Sequence, residues 1–430
     1  MLRSLDLKNV GPSRALTLSD IAPRFNLFAG DNGLGKSFLL DIAWWALTRT
    51  WHETPAVPST PDASIAYQFD GDRRPHKDSS VWNPKAQAWR RKPGRPPNPG
   101  LVIYARVDGS FSTWDPMRNY RLWVRADGGE SQSPDAYQFT SREVMEGIRR
   151  HVHEAGIQRE QVLCRGLVDD WTRWQATNST EFQLLVRLLN HLGPDEQPLR
   201  PGPPQRVSLD DAREVPTIRM PYGTDVPITY APAGVRRMTK LAYLLAWTLH
   251  EHEQEAARIG QPLSRQVIVL IDEPETHLHP RWQRTVLPSL NAAIRDWNVE
   301  HAPEVQFLVA THSPLILASM EPVFDPSRDK LWKLELDQTN EVRIRVETDY
   351  RRGDVNRWLT SDVFGLGSAT SRELQDLLVE AYRLLENPDR SEAATTAMEA
   401  RLREALPEFD PLLARWSFLV TAARRPEQPA

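Results

Sequence analysis

The chain has 430 residues, of which 40% are hydrophobic and 26% are charged, so it can bury a large core as one domain with insertions or as two domains. Lysine and arginine total 53 against 57 aspartate and glutamate residues, and the net charge of −4 gives no overall signal for nucleic acid. A single cysteine, Cys164, excludes an intrachain disulfide and a zinc site built from several cysteines.

The N-terminal segment and the hydropathy of the chain predict no export or membrane segment. Polar residues interrupt "MLRSLDLKNVGPSRALTLSD" throughout, whereas a signal peptide needs an apolar core. No run of about 18 apolar residues occurs, which is the length that a membrane span requires. We therefore expect a cytoplasmic protein without a membrane partner, and the low cysteine content agrees with a reducing compartment.

The first predicted unit is a strand, a glycine loop and a helix. "LRSLDLKNV" and "RFNLFA" predict strands, and the second runs into "GDNGLGKS" and the helical pattern "FLLDIAWWALTRTW". The loop matches G-x-x-x-x-G-K-[ST], in which backbone N–H groups face a phosphate at the helix N-terminus. Lys36 would neutralise β- and γ-phosphate charge, and the Ser37 hydroxyl would ligate Mg²⁺. The residues assigned to nucleotide binding are Gly30, Asp31, Asn32, Gly33, Leu34, Gly35, Lys36, Ser37 and Phe38.

The next part of the chain predicts strands and helices around a polar segment. Residues 64–69 predict a strand, and residues 71–100 carry eight Lys/Arg against two Asp, which favours a solvated loop with a nucleic-acid contact as the alternative. "LVIYARV" and "RLWVR" predict strands. "TSREVMEGIRRHVHEAG" predicts a helix with a capping box from Thr140 to Glu143, and "GLVDDWTRWQ" and "STEFQLLVRLLNHLG" predict two more. We expect the tryptophans here to be core residues.

The following segment predicts alternating helices and apolar strands. "VPTIRMPYGTDVPITY" predicts a hairpin turned at residues 222–225, and a long helix is predicted to begin near Ala233 in "APAGVRRMTKLAYLLAWTLHEHEQ". Apolar strands at residues 267–271 and 305–310 flank a helix predicted at about residues 282–297. Continuous apolar strands between helices are typical of a parallel sheet covered on both faces. A hairpin of "KLWKLEL" with "EVRIRVE" and then helices complete the chain.

The stretch "LIDEPETHLHP" admits two interpretations. As a nucleotide-hydrolysis site, Asp272 at the end of the buried strand holds Mg²⁺ through its water shell, and Glu273 is the general base that polarises the attacking water. As a transition-metal site, His277 and His279 would need at least one further ligand, and the expected partners are not clustered elsewhere. We therefore favour hydrolysis and expect both histidines to pack or make polar contacts at a subunit interface, with Pro280 starting the next helix.

A third polar segment follows the next apolar strand, in "FLVATHSPLIL". Thr311, His312 and Ser313 come directly after the strand, at the sheet edge where open α/β sheets bind their ligands. His312 can donate a hydrogen bond to the γ-phosphate or to the attacking water. We therefore predict that Glu273, His312 and Lys36 are the catalytic residues.

The order of these motifs resembles that of ABC-type ATPases, in their soluble branch related to SMC, RecF and OLD-type proteins. "KNVGP", "GDNGLGKS", "YAPAGVRR", "LIDEPETHLHP" and "ATHSP" each resemble the corresponding family segments, whereas the match at residues 71–215 is weak. The resemblance implies an α/β P-loop NTPase with a mostly parallel SMC-head-like sheet, an antiparallel β subdomain, a mixed insertion and a helical C-terminal region. It also implies a head-to-tail homodimer that sandwiches two ATP molecules.

The signature segment departs from the family pattern. Transporter-type ATPases carry a serine and two glycines there, whereas "APAGV" has Pro232 at the serine position and Ala233 at that of the first glycine. The hydroxyl that would meet the partner's γ-phosphate is therefore missing. Backbone N–H groups near Ala233 and Gly234 could still bind it, with Arg236 or Arg237 adding charge. We expect slow turnover or nucleotide-locked dimers. The glutamine that follows the second strand in such cores has only Gln68 as a weak candidate.

The resemblance leads to three functional hypotheses. The first is an ATPase subunit of a prokaryotic antiphage defence system, similar to Septu and retron-associated ATPases, that acts with a separately encoded effector such as an HNH nuclease. The second is a RecF- or SMC-like DNA-repair ATPase, for which the basic residues 71–100 leave direct nucleic-acid contact open. The third is a transporter ATPase, which the long insertion and the form "DEPETHLHP" disfavour.

The segments after His312 bear on nuclease activity and on the effector. OLD-type nucleases append a domain with its own acidic metal cluster, and the residues after His312 contain no G-E followed by D-x-D, so we expect no nuclease activity in this chain. The C-terminal helices either dock the effector or cap the core. The predicted segments are 1–70 and 216–346 for the two parts of the ATPase core, 71–215 for the insertion and 347–430 for the helical region.

Overall fold

The computed structural model describes residues 1–71, 74–90, 97–120, 134–154, 157–194, 196–297, 303–387 and 389–422. The chain divides into two compact units, Met1–Val355 and Asn356–Ala430. Among the described residues, none of the helices is both long enough and apolar enough to cross a membrane.

The strands are numbered in chain order. They are β1 (Leu2–Val10), β2 (Ser13–Leu18), β3 (Phe25–Gly30), β4 (Ser64–Asp70), β5 (Pro75–Asn83), β6 (Ala88–Trp89), β7 (Leu101–Ala105), β8 (Phe111–Trp114), β9 (Tyr137–Phe139), β10 (Ile148–Glu154), β11 (Ile157–Cys164), β12 (Arg200–Arg206), β13 (Glu214–Arg219), β14 (Asp225–Pro227), β15 (Gln266–Asp272), β16 (Glu304–Ala310), β17 (Lys330–Leu336) and β18 (Val342–Glu347).

The helices are numbered in the same way. They are α1 (Lys36–Thr48), α2 (Pro116–Asn119), α3 (Ser141–Glu146), α4 (Leu167–Thr177), α5 (Thr180–Leu192), α6 (Ala233–Ile259), α7 (Pro280–Gln283), α8 (Val286–Trp297), α9 (Pro314–Met320), α10 (Val355–Leu359), α11 (Arg372–Glu386), α12 (Glu392–Ala405) and α13 (Pro411–Ala422).

The main sheet has the strand order β18-β17-β3-β16-β15-β7-β8-β9. Its five central strands, from β17 to β7, run parallel, whereas β18 pairs antiparallel with β17, β8 with β7, and β9 with β8. Strands β3, β15 and β16 are buried along nearly their whole length, which explains their uninterrupted apolar sequences. The parallel direction places the carboxyl ends of β3, β15 and β16 at one edge of the sheet.

A second sheet, with the order β2-β1-β4-β5-β6, is antiparallel. One cluster of buried residues joins this sheet, helix α1 and a face of the main sheet. Trp44 and Trp45 of α1 are fully buried in that cluster, and Trp45 stacks on Trp51. Helix α1 is therefore fixed from two sides, which positions the loop in front of it.

The polar segment predicted to be a loop contains two strands. Residues 75–83 form β5, which pairs with β4, and β6 follows it; residues 91–96 lie outside the described residues. The inward face of β5 carries Asp78 and Ser80, and Arg49, the C-cap of α1, donates a hydrogen bond to the Asp78 carboxylate. Because the buried positions of this strand are polar and paired, hydrophobic periodicity does not reveal it.

Strands β7, β8 and β9 also belong to the main sheet, so the segment 71–215 is not one separate insertion. Elements outside the two large sheets follow β8, first the short helix α2 and then, after β9, helix α3. They include the two-stranded sheet β10-β11, the three-stranded sheet β12-β13-β14, and helices α4 and α5. Trp171 and Trp174 of α4 are buried, as predicted for core residues.

Three further sequence predictions differ from the structure or cannot be compared with it. The capping box of Thr140 and Glu143 is present, but α3 ends at Glu146 because Gly147 has a φ of 88°, and "IRRHVHE" is strand β10. The helix predicted at residues 282–297 is divided into α7 and α8. The predicted strand "RLWVR" lies outside the described residues.

The second unit contains helices α11, α12 and α13, as the predicted helical C-terminal region requires. Its own core consists of a small cluster that includes Ala381, Met398, Leu402, Leu413 and Trp416. Serine caps begin two of its helices, with Ser371 at α11 and Ser391 at α12.

Candidate nucleotide site

The loop between β3 and α1 has a backbone that only glycine adopts without strain at three positions. Gly30, Gly33 and Gly35 have φ angles of 137°, 80° and 90°. A Cβ at Gly30 would lie 2.3 Å from the carbonyl oxygen of Leu334, so this position also excludes any side chain. Gly35 is the N-cap of α1, and no side chain caps the helix. The first turn of α1 therefore offers backbone N–H groups to an external acceptor.

Lys36 and Ser37 connect this loop with the end of β15. The buried Lys36 ammonium donates hydrogen bonds to the carbonyl oxygens of Gly30, at 2.7 Å, and Asp31, at 2.8 Å. The Ser37 hydroxyl donates to Asp272 Oδ1 at 3.0 Å. Residues 235 positions apart in the sequence thus meet at the sheet edge. This contact brings together the two side chains that the sequence assigned to Mg²⁺.

Burial shifts the pKa values of both charged groups at this contact. Desolvation lowers the pKa of Lys36 to about 8, against the opposing effect of nearby carboxylates led by Glu273. Desolvation raises the pKa of Asp272 to about 6, although its hydrogen bond from Ser37 acts in the other direction. Both groups are therefore less stable in their charged forms than in water, as expected at a site that holds charges for a ligand.

Glu273 lies where β15 ends and the chain turns. Its φ of 47° is unusual for a residue other than glycine, and its N–H donates to the Ala310 carbonyl of β16. Glu273 Oε1 is 3.6 Å from His312 Nε2, and Glu273 Oε2 accepts a hydrogen bond from Thr276. Burial, followed by the charge of Lys36, lowers the pKa of His312, which favours the neutral ring. The structure thus groups all three predicted catalytic residues at one edge.

Glu275 holds the ends of the two strands together, a role that the sequence did not reveal. Its carboxylate accepts hydrogen bonds from the His312 N–H at 2.6 Å and from the Thr311 hydroxyl at 2.9 Å. Burial raises the pKa of Glu275, and these hydrogen bonds counteract part of the rise. Glu275 follows Glu273 by two positions in the sequence, and this spacing could have predicted its role. A turn after the strand can bring an acid at that position back to the end of the neighbouring strand.

Arg237 is a second residue with a role that the sequence did not reveal. Its guanidinium donates to the carbonyl oxygens of Asp272, Glu273 and Val107 at 3.3, 2.9 and 2.7 Å. It therefore links α6 to the end of β15 and to the turn after β7. From the sequence, Arg237 is expected only to add charge for a phosphate held by a second subunit. Gln68, the weak glutamine candidate, lies within β4 of the antiparallel sheet.

The signature segment begins α6 with an exposed surface. Pro232 is the N-cap, no side chain caps the helix, and Pro232 and Ala233 are exposed. A Cβ at Gly234 would lie 2.7 Å from the His277 carbonyl oxygen, so Gly234 permits the close approach of α6 to the turn after β15. Packing within the chain is thus one physical reason for glycine at this position.

The two histidines of "THLHP" have different surroundings. His279 is the N-cap of α7, where its Nδ1 accepts from the Arg281 N–H, and Pro280 is the first residue of the helix as predicted. His277 is exposed and has a φ of 63°. In the described part of the chain, no group of three or more His, Cys, Asp or Glu side chains is arranged to hold a metal ion.

The side chains at the sheet edge fit Mg²⁺ and a nucleotide triphosphate. A hydroxyl and a carboxylate are the hard oxygen ligands that Mg²⁺ prefers, and it commonly takes only one or two protein ligands beside phosphate oxygens and water. The uncapped start of α1 and the Lys36 ammonium suit phosphate oxygens. The sheet order, the glycine loop after β3 and the acidic pair after β15 define a P-loop ATPase fold of the ABC and SMC-head type, so the predicted fold class is confirmed.

Part of the chain is similar to a known protein family. Residues 190–318 match the family model described as "AAA domain, putative AbiEii toxin, Type IV TA system". The matched segment runs from the end of α5 into α9 and is similar to AAA-type ATPase domains, which agrees with the resemblance drawn from the motifs.

Three curated relatives match about a quarter of the chain. The chain is 42% identical to the retron Vc95 probable ATPase of Vibrio cholerae over 93 residues, which are 22% of this chain and 13% of the relative. It is 35% identical to the Septu protein PtuA of Bacillus mycoides over 126 residues (29% and 16%) and 27% identical to the retron Ec83 probable ATPase of Escherichia coli over 124 residues (29% and 19%). The chain spans less than a fifth of the length of each relative.

Solved structures similar to this chain include an SMC head domain from Thermotoga maritima, with 12% identity and a TM-score of 0.36, covering 80% of this chain and 98% of that chain. The recombination mediator protein RecF matches at 11% identity and a TM-score of 0.38, with the same coverage of both chains. At these TM-scores the fold assignment depends on the strand order and the loop geometry described above.

Proposed function

We propose that the chain is a magnesium-dependent ATPase subunit that binds and hydrolyses ATP. The observation that carries the proposal is the 3.0 Å hydrogen bond between Ser37 Oγ and Asp272 Oδ1, next to a buried lysine in a glycine loop. A hydroxyl, a carboxylate and an ammonium at the uncapped start of a helix form the set of groups that a Mg²⁺-bound triphosphate requires. The roles follow from the chemistry of each side chain.

In this proposal, Ser37 and Asp272 hold Mg²⁺, which supplies charge neutralisation at the phosphates. Lys36 exchanges its hydrogen bonds with the loop carbonyls for contacts with phosphate oxygens. Glu273 accepts the proton of the attacking water, and His312 orients that water or the γ-phosphate from the adjacent strand end. The 3.6 Å separation between Glu273 Oε1 and His312 Nε2 lets both side chains reach one water molecule.

The proposal includes a head-to-tail homodimer in which each glycine loop faces the α6 terminus of the partner subunit. Support comes from the exposed, uncapped start of α6 at Pro232 and Ala233, which offers backbone N–H groups to an anion. Arg236 is exposed next to it and adds positive charge. Because no serine hydroxyl is present at this position, we expect the closed dimer to turn over slowly.

We further propose that this ATPase is a cytoplasmic component of a prokaryotic antiphage system and acts with a separately encoded effector, such as an HNH-type nuclease. Support comes from the names of its relatives, a Septu protein and two retron ATPases. ATP-driven closure would then control the effector, because hydrolysis by such a subunit switches a dimer between two states. Nuclease activity is assigned to the effector and not to this chain.

A RecF- or SMC-like ATPase that clamps DNA is the second candidate. The observation that favours it is a group of exposed cationic residues, Lys77, Lys85 and Arg90, on and around β5 and β6. Duplex binding with a logarithmic salt slope close to the number of phosphate contacts, lowered by Lys77→Gln and Lys85→Gln, would favour this candidate. Expression with the neighbouring genes, followed by identification of the stable complex, separates a protein effector from DNA.

Glu273→Gln tests the ATPase proposal directly. The variant should retain ATP affinity, because Lys36, Ser37 and Asp272 are unchanged, and should lose about 100- to 10,000-fold in turnover, because the general base is absent. In size-exclusion chromatography with light scattering, it should accumulate as a dimer in the presence of ATP and Mg²⁺.

Glu196→Gln is the matched control, because Glu196 has an exposed side chain and contacts Arg281. It should behave as the parent chain in all three measurements. Unchanged turnover in Glu273→Gln would remove Glu273 from the general-base role. Failure of the parent chain to bind ATP at all would refute the proposal.

A further inference from the structure

The turn after β15 carries two residues other than glycine in the left-handed backbone region. Glu273 has a φ of 47° and His277 a φ of 63°. A side chain at such a φ costs free energy, so the conformation persists only where the surrounding structure holds it. At Glu273 the cost is increased by the next residue, Pro274, since a residue before proline favours an extended conformation with negative φ. Contacts around Glu273 must therefore hold its backbone.

Hydrogen bonds hold the backbone of Glu273 on both sides. Its N–H donates to the carbonyl oxygen of Ala310 in β16 at 2.9 Å. Its carbonyl oxygen accepts from the Thr276 N–H within the turn, at 3.1 Å, and from Arg237 Nη2 of α6, at 2.9 Å. Because Pro274 has no N–H, that carbonyl is the only hydrogen-bonding group of the peptide between Glu273 and Pro274. Arg237 therefore ties this peptide to another element of the fold.

The guanidinium of Arg237 joins this peptide to two further positions. Its Nη2 is 3.3 Å from the carbonyl oxygen of Asp272, and its Nη1 donates to the carbonyl oxygen of Val107 at 2.7 Å. Burial lowers the pKa of Arg237, and the charges of Glu275, Asp272 and Glu273 oppose that change. A planar guanidinium holds its donors in fixed directions, so it can bond both segments at once, whereas a lysine has a single terminal nitrogen.

A second contact holds the start of α6 against the other end of the same turn. A Cβ at Gly234 would lie 2.7 Å from the carbonyl oxygen of His277. Gly234 and Arg237 are three positions apart in the helix, so they lie on the same face. The start of α6 thus contacts the turn at Glu273 and again at His277, the two left-handed residues.

The backbone of Glu273 sets the direction of its carboxylate. In this conformation Oε1 is 3.6 Å from His312 Nε2, and Oε2 accepts a hydrogen bond from the Thr276 hydroxyl at 3.1 Å. The groups assigned to Mg²⁺ lie instead on α1 and at the end of β15, where Ser37 bonds the Asp272 carboxylate. A change in the Glu273 backbone would therefore move the proposed general base more than the metal ligands.

We propose that Arg237 is a positioning residue for hydrolysis: it holds Glu273 in the left-handed conformation that directs the carboxylate towards His312. The role of Arg237 rests on the proposed ATPase function and adds to it a residue that does not touch the nucleotide. Without the guanidinium, Glu273 can relax to the negative φ favoured before Pro274, and its carboxylate then moves away from the attacking water. Hydrolysis should slow, whereas ATP binding should not change.

Arg237→Met removes the guanidinium and keeps an unbranched side chain, and Arg237→Lys keeps the positive charge. Single-turnover hydrolysis of labelled ATP by the full chain gives the rate constant, and isothermal titration calorimetry with a non-hydrolysed ATP analogue and Mg²⁺ gives the affinity. Arg237→Met should lower the rate roughly 10- to 100-fold, as misplacement of a reacting group does, and leave the affinity within about twofold. Arg237→Lys should lose less, because an ammonium can still bond one of the three carbonyls.

A double variant separates the positioning of Glu273 from a general effect on the fold. In Glu273→Gln the general base is already absent, so adding Arg237→Met should lower the remaining rate less than about twofold. Arg258→Met is the matched control, because Arg258 lies on the same helix and pairs with Glu255 through a 56% exposed side chain. It should leave the rate and the affinity of the parent chain unchanged.

Three results would overturn the role of Arg237 and leave the ATPase proposal in place. They are an unchanged rate in Arg237→Met and Arg237→Lys, a loss of ATP affinity that matches the loss of rate, and an undiminished effect of Arg237→Met in the Glu273→Gln background. If Arg237→Met fails to fold, the same comparisons apply to Arg237→Lys, alone and combined with Glu273→Gln. A parent chain that binds ATP without hydrolysing it would refute both the ATPase proposal and the role of Arg237.

Discussion

Helices α1 and α6 both begin without a side-chain cap, but their surroundings differ. At α1, the N-cap Gly35 has a φ of 90°, and Lys36 and Ser37 are connected to loop carbonyls and to Asp272. At α6, the N-cap Pro232 is exposed, and the first contact of the helix with the turn after β15 is the close approach at Gly234. One terminus is thus enclosed by side chains of its own chain, and the other is open.

The two helix termini differ in the part of the proposed reaction that each can support within one chain. Backbone N–H groups at a helix start attract an anion, yet affinity and catalysis need charged side chains and a metal ligand in fixed positions. The α1 terminus has both, because β15 delivers Asp272 to Ser37. The α6 terminus has neither a hydroxyl nor a carboxylate ligand, so its proposed role requires a nucleotide held by another subunit.

Lys36→Ala, at the enclosed terminus, should have the largest effect, a loss of ATP affinity. Removal of the ammonium takes away charged hydrogen bonds to phosphate oxygens, and ATP affinity should fall about 100-fold. Arg236→Ala, at the open terminus, should leave the affinity of the isolated chain unchanged. Isothermal titration calorimetry with a non-hydrolysed ATP analogue and Mg²⁺ measures both.

Lys8→Ala is the control for Lys36→Ala, since the Lys8 side chain is 61% exposed on β1 and pairs with Asp62. The difference between the two termini would be disproved if Arg236→Ala weakened ATP binding to the isolated chain as strongly as Lys36→Ala.

Pro232→Ser, at the open terminus, should have a smaller effect, an increase in the affinity of the ATP-bound dimer. It would give the start of α6 a side-chain hydroxyl, as Ser37 gives the start of α1. The serine hydroxyl would supply one more hydrogen bond to a phosphate held by the partner subunit, which is worth about 0.5–1.5 kcal/mol, or roughly two- to tenfold in dimer affinity with ATP. Analytical ultracentrifugation with the Glu273→Gln background measures this dimer without turnover.

Pro232→Ala separates the effect of the hydroxyl from that of losing proline. It should leave the ATP-dependent dimer unchanged in the same background. If Pro232→Ala strengthened the dimer as much as Pro232→Ser, the missing hydroxyl would not be the reason for the weakness of this terminus.

Asp272→Asn should change a different property, the stability of the nucleotide-free chain. The pKa of Asp272 is raised to about 6, so the folded state binds this proton more tightly than the unfolded state, and stability is lost as the pH rises from about 4 through 6. Asparagine is neutral throughout. The variant should therefore be more stable than the parent by about 1–3 kcal/mol at pH 8 and nearly equal at about pH 3, measured by urea unfolding.

Asp337→Asn gives the opposite sign as a control. Hydrogen bonds from Thr339 and Arg343 lower the pKa of the exposed Asp337 carboxylate, so its loss should slightly destabilise the chain at pH 8. Equal stability of Asp272→Asn and the parent at pH 8 would show that holding this carboxylate at the sheet edge costs the fold nothing.

The glycine loop and the strand ends of the candidate site can be predicted from the amino-acid sequence. Glycines at positions 30 and 35 beside Lys36 and Ser37 predict a phosphate-type loop, because the positive φ angles of this loop strain any other residue. The uninterrupted apolar strands before Asp272 and Thr311 predicted a parallel sheet. In such a sheet the carboxylate of Asp272 and the hydroxyl of Thr311 lie at the same edge. These inferences succeeded because each depends on contacts within a few residues or on the direction of parallel strands.

The hydrogen bonds that connect the loop and the strand ends could be identified only from the tertiary structure. The hydrogen bonds of Glu275 with Thr311 and His312, and those of Arg237 with the ends of β7 and β15, join positions far apart in sequence. Strand β5 was missed for a related reason, since its buried Asp78 is satisfied by Arg49. Burial of polar groups becomes favourable only when the fold brings their partners together, and no local pattern contains that information.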